Sequence, residues 1–583
     1  MTRPAVQGSG IDRNGRSEPS PHGASDRPGG GVPSPGENGA QPRPAGGWGL
    51  PLVVLVTGMF MTIMDISIVN VAIPTIQNEF GVTTDDVQWV VTAYTLALGV
   101  VVPVTAWLGD RFGLSRVYTL ALVSFAAGSA LCGLAWDLNS LVAFRVVQAI
   151  PGGILPVITL SILYRIVPRE RLGAAMGLYG VGVVFAPAIG PTLGGYLVEY
   201  VNWRLIFFIN VPIGILGAVA AVLVLPRFPR QLGQRFDVLG FVTVASGLFA
   251  LLLALSEGES WGWGSYRILG LLTYSVLSLA LFVVIELQVA DPLLDIRIFR
   301  YRAFTQSLLL LALLSVVLFG ALFYVTLFLQ EGLGLGALDA GLTVLPQALV
   351  MGFLMPIAGR IYDRIGPRWP AAVGLTIVAA STYLLHTITL DTSRAQVTWL
   401  LVLLGAGLGL AMMPIMTGGI AVIPLAQVND ASAFNNVVRQ VAASLGLAML
   451  TAILTTQQAQ QMGGRSSLLP AGIPTPHLGP GVPDWMGVYA TYRLTQLQVF
   501  VGAIADLFLI ASALSALGAL GALLLRSGPA PAPPAGFAPS QPAAAPPAAI
   551  DGGPTVYTDA TAAHSGGKVR PAEDLVDAEI KAR

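Results

Sequence analysis

Two side chains of opposite charge, Asp65 and Arg145, stand inside long apolar segments. An ionisable group at the centre of a bilayer costs at least about 2.5–3.5 kcal/mol, so it persists there only where it is paired, hydrated or functional. With outer helix ends near Pro74 and Asn139, a rise of about 1.5 Å per residue brings both side chains to a similar depth. A carboxylate that loses its guanidinium partner in a dry cavity is driven to take up a proton. The pair therefore predicts a proton-coupling site, and a purely structural buried ion pair is the alternative.

Other polar side chains in the apolar segments could belong to the same machinery. Gln148 lies three residues after Arg145 on the same helix face, which favours the wall of a polar cavity. Asp506, in the last segment, is a candidate second proton-coupling residue unless it lies among the lipid headgroups. Arg439 and Gln440 either line the cavity or extend to the inner interface. The remaining cavity candidates are Asn70 and three adaptable methionines that could equally be plain core, Met61, Met351 and Met412.

The composition indicates that a membrane surrounds these residues. Hydrophobic residues make up 54% of the 583 positions, charged residues make up only 11%, and the mean hydropathy is +0.71. Soluble domains carry roughly 25% charged residues, so a water-soluble enzyme is nearly excluded. About fourteen apolar segments approach the roughly 20 residues that cross a bilayer, and their lack of alternation selects helices over a barrel. We predict an all-α membrane protein with about fourteen transmembrane helices.

Charge and cysteine content exclude further classes. Acidic and basic residues balance at 31 each, so no net charge is available to hold a nucleic acid. The single cysteine, Cys132, excludes an intramolecular disulfide and a cluster of thiolate metal ligands. Because it lies in an apolar run, we expect it to be a small core residue.

The arginines and the polar stretches predict how the chain is organised. Arginines concentrate in alternate loops, which predicts that both termini are cytoplasmic. Residues 1–49 and 527–583 are rich in Gly, Pro, Ala and charge, and are predicted to be disordered cytoplasmic tails. Between them we expect an N-terminal six-helix half over 50–225, two inserted helices with their flanking loops over 226–303, and a C-terminal six-helix half over 304–526 with an external loop at about 456–497.

A short motif, Asp-Arg-x-Gly, occurs after the second and after the tenth apolar segment. The two copies occupy equivalent positions if the second half begins at the ninth segment, which makes segments seven and eight an inserted pair. Two helical halves with a site between them are typical of a secondary transporter. One copy could be an ordinary charged turn, but two copies in register are hard to obtain by chance. The residues are Asp110, Arg111 and Gly113 in the first copy and Asp363, Arg364 and Gly366 in the second.

The fifth apolar segment is rich in glycine and proline. Gly182, Gly190 and Gly194 fall near one helix stripe, which allows close approach of another backbone. Pro187 and Pro191 loosen the hydrogen-bond ladder. We predict a tightly packed but bendable helix, and a generic small-residue packing face is the alternative.

Over about residues 50–525, the order and spacing of these motifs resemble the major facilitator superfamily, specifically its fourteen-helix drug:proton antiporter family of the EmrB/QacA type. The stretch 65–74 resembles that family's first-helix signature, which implies a role for Asp65 in proton and substrate coupling. The stretch 145–153 resembles its fourth-helix motif, which implies that Arg145 takes part in proton transfer. The resemblance also implies an inner-side latch that includes Asp110, Arg111 and Arg116, and a fifth-helix antiporter motif formed by Pro187, Gly190, Pro191, Gly194 and Gly195.

The function expected from these residues and from the resemblance is proton-driven export of amphipathic compounds by alternating access. We expect a monomer in the inner or plasma membrane, with small amphipathic substrates, protons and the lipid bilayer as its partners. No cofactor is expected, because the proton gradient supplies the energy. Export of one endogenous lipid, siderophore or peptide-like metabolite is the alternative. A membrane-embedded enzyme or receptor is more remote, because the sequence has no HExxH motif, phosphate loop or nucleophile elbow.

Overall fold

A computed structural model of the chain describes residues 47–230, 235–467 and 484–525. Within these ranges every regular element is helical, and thirteen helices are long and apolar enough to cross a membrane. The prediction of an all-α protein with about fourteen helices is confirmed. The long helices are α1 Gly49–Phe80, α2 Thr84–Phe112, α3 Leu114–Gly133, α4 Leu138–Ile166, α5 Leu172–Tyr200, α6 Leu205–Val224, α7 Val238–Trp261, α8 Tyr266–Gln288, α9 Arg302–Leu327, α10 Ala337–Ile365, α11 Arg368–Leu385, α12 Arg394–Ile420, α13 Val428–Ser467 and α14 Asp484–Ala522.

Two of these helices contain a local break. Helix α2 passes through a 3-10 turn at Val102–Val104, where Pro103 lacks the N–H of a regular ladder. Helix α6 consists of a short first part, Leu205–Phe208, and a longer second part that begins at Asn210. The second break places the buried side chain of Asn210 at a junction within α6.

The eleventh predicted segment, 370–390, corresponds to α11, which is the shortest of these helices and lies outside the thirteen candidate spans. Its 18 residues span about 27 Å, slightly less than the hydrocarbon layer. Its first turn carries Arg368 and Trp369. This polar first turn lowers the mean hydropathy of α11 below that of the thirteen helices.

The outer end assigned to the first segment was wrong. Helix α1 continues through Pro74 and ends at Phe80, with Gly81 at φ +63° as its C-cap. Pro74 removes only one ladder bond, to the carbonyl of Asn70, and a long helix can continue beyond it. Asp65 is therefore about 22 Å from the end of its helix, so the depth counted from Pro74 does not hold.

Helices also extend into the predicted external loop. Helix α13 continues to Ser467 and α14 begins at Asp484, so much of the segment 456–497 is helical. Asp506 lies 22 residues into α14, and its depth cannot be counted from a start near Gln498. Residues 468–483 and the predicted tails, apart from residues 47–49, lie outside the described residues.

Helices α5 and α7 each contact helices from different parts of the chain. We refer to α1–α6 as the first half and to α9–α14 as the second. Helix α5 packs against α1 of its own half and against α10 of the other, and α13 packs against α4. Helix α7 contacts α2 and α13, whereas α8 packs mainly on α7. The seam between the halves is thus formed largely by α2, α4, α5, α10 and α13.

Candidate functional site

A buried polar cluster surrounds Asp65 where four helices meet. Asp65 lies in α1, Arg145 and Gln148 lie in α4, Ser129 lies in α3, and Asn210 lies at the junction within α6. None of these five side chains is exposed. The predicted meeting of Asp65, Arg145 and Gln148 is found. The helix start expected near Asn139 agrees with the start of α4 at Leu138, whereas the helix end expected at Pro74 was wrong.

Both carboxylate oxygens of Asp65 accept hydrogen bonds. Oδ1 accepts from Gln148 Nε2 at 2.9 Å and from Asn210 Nδ2 at 2.9 Å, and Oδ2 forms an ion pair with the Arg145 guanidinium. Arg145 also donates to Gln148 Oε1 at 2.9 Å. Because amide and guanidinium nitrogens can only donate, the arrangement fits an ionised carboxylate.

Arg145 is held by α2 as well as by Asp65. Its Nε donates to the carbonyl of Val90 at 3.3 Å, and its guanidinium carbon lies 3.8 Å from the centre of the Tyr94 ring. A desolvated cation over an aromatic face is worth about 2 kcal/mol or more. Helix α2 therefore holds the guanidinium through a hydrogen bond and a ring contact, in addition to the ion pair with α1.

Close packing of α3 against α4 brings Gln148 into place. A Cβ on Gly128 of α3 would lie 2.9 Å from the Cα of Gln148, a distance that side chains essentially never adopt. Only glycine allows the two helices to approach this closely at that point. Cys132, one turn further along α3, is buried as predicted, and its Sγ lies 3.4 Å from Gln148 Oε1.

The sequence interpretation missed Ser129 and Tyr94 and did not assign Asn210 to this site. The available signal for Asn210 was an amide inside an apolar segment. Three buried atoms around the cluster have no hydrogen-bond partner among the described residues, namely Tyr94 Oη, Arg145 Nη2 and Asn210 Oδ1. The cluster can therefore accept a further polar group or a water.

Asp110, in the first Asp-Arg-x-Gly copy, connects the first half to the second. Asn429, in the first turn of α13, donates from Nδ2 to Asp110 Oδ1 at 2.6 Å. Arg165, at the end of α4, lies 3.9 Å from the same carboxylate oxygen and donates to Asn429 Oδ1 at 3.4 Å. The three side chains tie the end of α2 to the start of α13.

Asp363, in the second copy, makes the reciprocal connection. Its two carboxylate oxygens accept from the backbone N–H of Gly173 at 2.8 Å and of Ala174 at 3.2 Å, in the first turn of α5. A carboxylate at a helix N-terminus satisfies free N–H groups and complements the helix dipole. Gly173 and Gly359 meet backbone to backbone beside this cap. We call the end of the bundle that carries Asp110 and Asp363 the latch end.

The remaining motif residues have different surroundings. Gly113 at φ +89° and Gly366 at φ +82° end the helices that carry the two Asp residues, which explains the glycine in each copy. Arg111 is partly buried. Arg116 and Arg364 are exposed.

The glycine stripe of α5 packs against α1. A Cβ on Gly182, Gly190 or Gly194 would come within 2.5–2.7 Å of side-chain atoms of Val56, Ser67 and Ile68, respectively. The close approach expected from the stripe is therefore present. A Cβ on Gly195 would meet no atom within 4 Å, and the helix continues without interruption through Pro187 and Pro191.

Other predicted site residues lie outside the Asp65 cluster. Asp506 is partly exposed, and its neighbour is His386, whose Nδ1 is 4.0 Å from Asp506 Oδ1 and 2.9 Å from the Ala505 carbonyl. Arg439 is partly buried and donates to Asn436 Oδ1 at 3.1 Å. Gln440 is partly buried, Asn70 is exposed, and Met61, Met351 and Met412 are buried in the apolar core.

Metal binding is not indicated by the described residues. Within residues 47–230, 235–467 and 484–525, no group of three or more His, Cys, Asp and Glu side chains is arranged to hold an ion.

The chain is similar to a family of membrane transporters. The Major Facilitator Superfamily model matches residues 55–447. A tetracenomycin C resistance and export protein of Streptomyces glaucescens is 33% identical and is aligned over 70% of this chain and 76% of its own length. A multidrug resistance protein B homolog of Mycobacterium tuberculosis is also 33% identical, over 69% of this chain and 76% of its own length. The solved proton:xylose symporter XylE has the same fold, with a TM-score of 0.53 at 13% identity, over 82% of this chain and 96% of its own.

Proposed function

This chain belongs to the major facilitator superfamily and to its drug:proton antiporter type, and from that premise we propose that it exports amphipathic compounds in exchange for protons. As a multi-pass membrane transporter it requires an energy source, and we assign that role to the proton gradient. We infer a monomer in the plasma membrane, with both termini in the cytoplasm and the latch end facing inward. The names of its relatives, which describe antibiotic export and multidrug resistance, support an amphipathic substrate class.

The observation that carries the proposal is the wholly buried carboxylate of Asp65 with its donors. Proton uptake converts one acceptor oxygen into a donor, so at least one N–H partner must withdraw. Withdrawal of Arg145 or Asn210 loosens α1 from α4 or α6. Proton binding is thereby linked to a change in helix packing, which is the requirement for coupling an ion to alternating access.

Helix α5 is the proposed connection between this site and the latch end. Its glycines Gly190 and Gly194 contact α1 within three residues of Asp65, and its first turn is capped by Asp363 of the other half. Movement of α1 relative to α5 therefore acts on a helix whose other end holds the two halves together. Competition between substrate and proton for Asp65 then couples the two flows.

The experiment uses purified protein in proteoliposomes with ethidium as the amphipathic probe. Asp65→Asn keeps the size of the side chain but removes its charge, so we expect insertion to be normal and ethidium-driven proton movement to be abolished. Asp339→Asn is the matched control, because Asp339 is a half-exposed residue paired with Arg394 at the start of α10. Normal proton-coupled export by a well-inserted Asp65→Asn protein would refute the coupling role.

A further inference from the structure

We propose that Asn210, oriented by Ser129, is a positioning residue that holds Asp65 in its ionised form and thereby sets the pH range in which the site exchanges protons. The inference rests on the proposed function, because it assigns a regulator to the proton site of that function. Ser129 in α3 and Asn210 in α6 lie outside the motifs that contain Asp65 and Arg145.

The backbone carbonyl of Phe207 determines which atoms donate in the hydrogen bonds of Ser129 and Asn210. The carbonyl of Phe207 can only accept, so the Ser129 hydroxyl, 2.8 Å away, must donate to it. Ser129 Oγ is then left as an acceptor for Asn210 Nδ2 at 3.1 Å. With its amino group thus oriented, Asn210 presents its other N–H to Asp65 Oδ1 at 2.9 Å. We call Phe207, Ser129 and Asn210 the donor relay.

The donor relay disfavours a neutral Asp65. Oδ1 already receives N–H groups from Asn210 and Gln148, so a proton placed on it would face two donors. Oδ2 faces the Arg145 guanidinium, which also cannot accept. Turning the Asn210 amide over would set its carbonyl oxygen against the carboxylate and break the bond to Ser129. The relay therefore favours the ionised form over the protonated one.

Tight packing between α3 and α6 keeps the relay in this orientation. A Cβ on Gly214 of α6 would lie 2.8 Å from the Cβ of Ala126 in α3, and a Cβ on Gly133 of α3 would lie 2.7 Å from the Phe208 ring. The two helices are thus fixed to each other on both sides of Ser129. Because α1 is a separate helix, its movement can take Asp65 away from the relay without disturbing the relay itself.

The other ionisable groups at the site can be named helix by helix. Helix α4 contributes Arg145, α2 contributes Tyr94, and α3 contributes Cys132. Helix α6 carries no ionisable side chain. Helix α5 meets this part of α1 through Gly190 and Gly194. Ser129 and Asn210 are uncharged, so the donor relay acts on Asp65 through hydrogen bonds, beside the positive charge of Arg145.

The test measures protonation of Asp65 directly. In reconstituted full-length protein, the infrared band of a protonated carboxyl group is followed against pH and is assigned to Asp65 by its loss in Asp65→Asn. In Asn210→Leu and Ser129→Ala we expect this band to appear at a pH about one to two units higher than in the parent, since a hydrogen bond to a charged group is worth about ten- to a hundredfold in an equilibrium constant. The pH profile of ethidium export should move in the same direction.

Two further variants separate positioning from general damage. Ser129→Thr retains a hydroxyl and should keep the parental pH dependence. Ser315→Ala is the matched control, because Ser315 is a buried serine whose bond, to the Leu311 carbonyl at 2.8 Å, stays within α9. Ser315→Ala should leave both the infrared titration and the export profile unchanged.

An unchanged infrared titration in Ser129→Ala and Asn210→Leu would overturn the proposal, even if Asp65→Asn abolishes export. Conversely, a shifted titration together with normal export by Asp65→Asn would preserve the donor relay and refute proton coupling through Asp65. If Asn210→Leu fails to insert, the smaller change in Ser129→Ala decides the result.

Discussion

At the scale of single residues, the guanidinium of Arg145 contacts several groups besides the carboxylate of Asp65. This guanidinium pairs with Asp65, donates to Gln148 and Val90, and lies over the Tyr94 ring. A lysine offers one ammonium in place of this planar fork and cannot serve all four partners. The position therefore requires arginine on geometric grounds as well as positive charge.

Removing one member of the pair should be more harmful than removing both. Arg145→Leu leaves the Asp65 carboxylate buried without its counter-charge, and we expect a loss of about 3–5 kcal/mol in the free energy of unfolding. The double variant Asp65→Leu with Arg145→Leu removes both charges, so most of that loss should be recovered. Unfolding of the purified proteins in detergent would measure this. A double variant as unstable as Arg145→Leu would show that the ion pair does not determine stability here.

The sequence could predict only the charged part of this cluster. Asp65 and Arg145 are conspicuous because a charge inside an apolar segment is costly, and Gln148 followed from its spacing. Ser129 gave no comparable signal, since a hydroxyl can bond within its own helix at little cost. Asn210 depends on the break within α6, which no residue pattern predicted. The directions of the hydrogen bonds follow only from how α1, α3 and α6 pack together.

At the scale of helices, α5 has two different contact surfaces. Near its start, Gly173 and Gly177 pack against Gly359 and Pro356 of α10, in the other half. Further along, Gly190 packs against α1 in its own half. The stripe expected from the sequence, Gly182 to Gly194, is only the second surface. Gly173 and Gly177 of the first surface precede this stripe in the sequence, so the contact with α10 was not predicted.

A methyl group at the first surface should keep the latch end from closing. Gly359→Ala introduces a Cβ that overlaps the backbone at Gly173, so we expect the helices to separate there. Ser432 is wholly buried in α13 near this end. When Gly359→Ala is combined with Ser432→Cys, the introduced thiol should react faster with a membrane-impermeant maleimide added from the cytoplasmic side. Gly341→Ala is the control, because a Cβ at Gly341 of α10 meets no atom within 4 Å. Equal labelling in the two variants would contradict the close contact.

Helix existence was predictable and helix ends were not. The thickness of the hydrocarbon layer sets the length of an apolar run that can cross it. Counting the runs of that length therefore predicts the number of transmembrane helices. Helix α1 continues beyond its apolar run to Phe80, and α13 continues to Ser467, because hydrogen bonding within a helix does not stop at the lipid boundary. Depths counted from the last apolar residue were displaced for this reason.

At the scale of the whole transporter, the two Asp-Arg-x-Gly copies hold the halves together reciprocally. Asp110 of the first half binds Asn429 at the start of α13, and Asp363 of the second half caps the start of α5. The repeat in the sequence predicted two equivalent turns. It did not predict that each aspartate contacts the opposite half, because that depends on the packing of α13 and α5.

The two connections should act additively. Asp110→Asn and Asp363→Asn each weaken one connection, so each should raise maleimide labelling when it is combined with Ser432→Cys. Since the two aspartates have separate partners, the free-energy effects should add in the double variant within about 0.5 kcal/mol. Labelling in the double variant no greater than in either single variant would indicate one shared switch. Ethidium binding should persist in all three.

Helix α7 has a consequence for the speed of the cycle. It touches α2, where Leu252 packs onto Gly99, and it also touches α13. If α2 and α13 move apart when the halves rock, α7 can follow only one of them, and the apolar surface left behind must be wetted by acyl chains. Each turnover would then displace and readmit lipid, so the viscosity of the surrounding bilayer would enter the turnover rate.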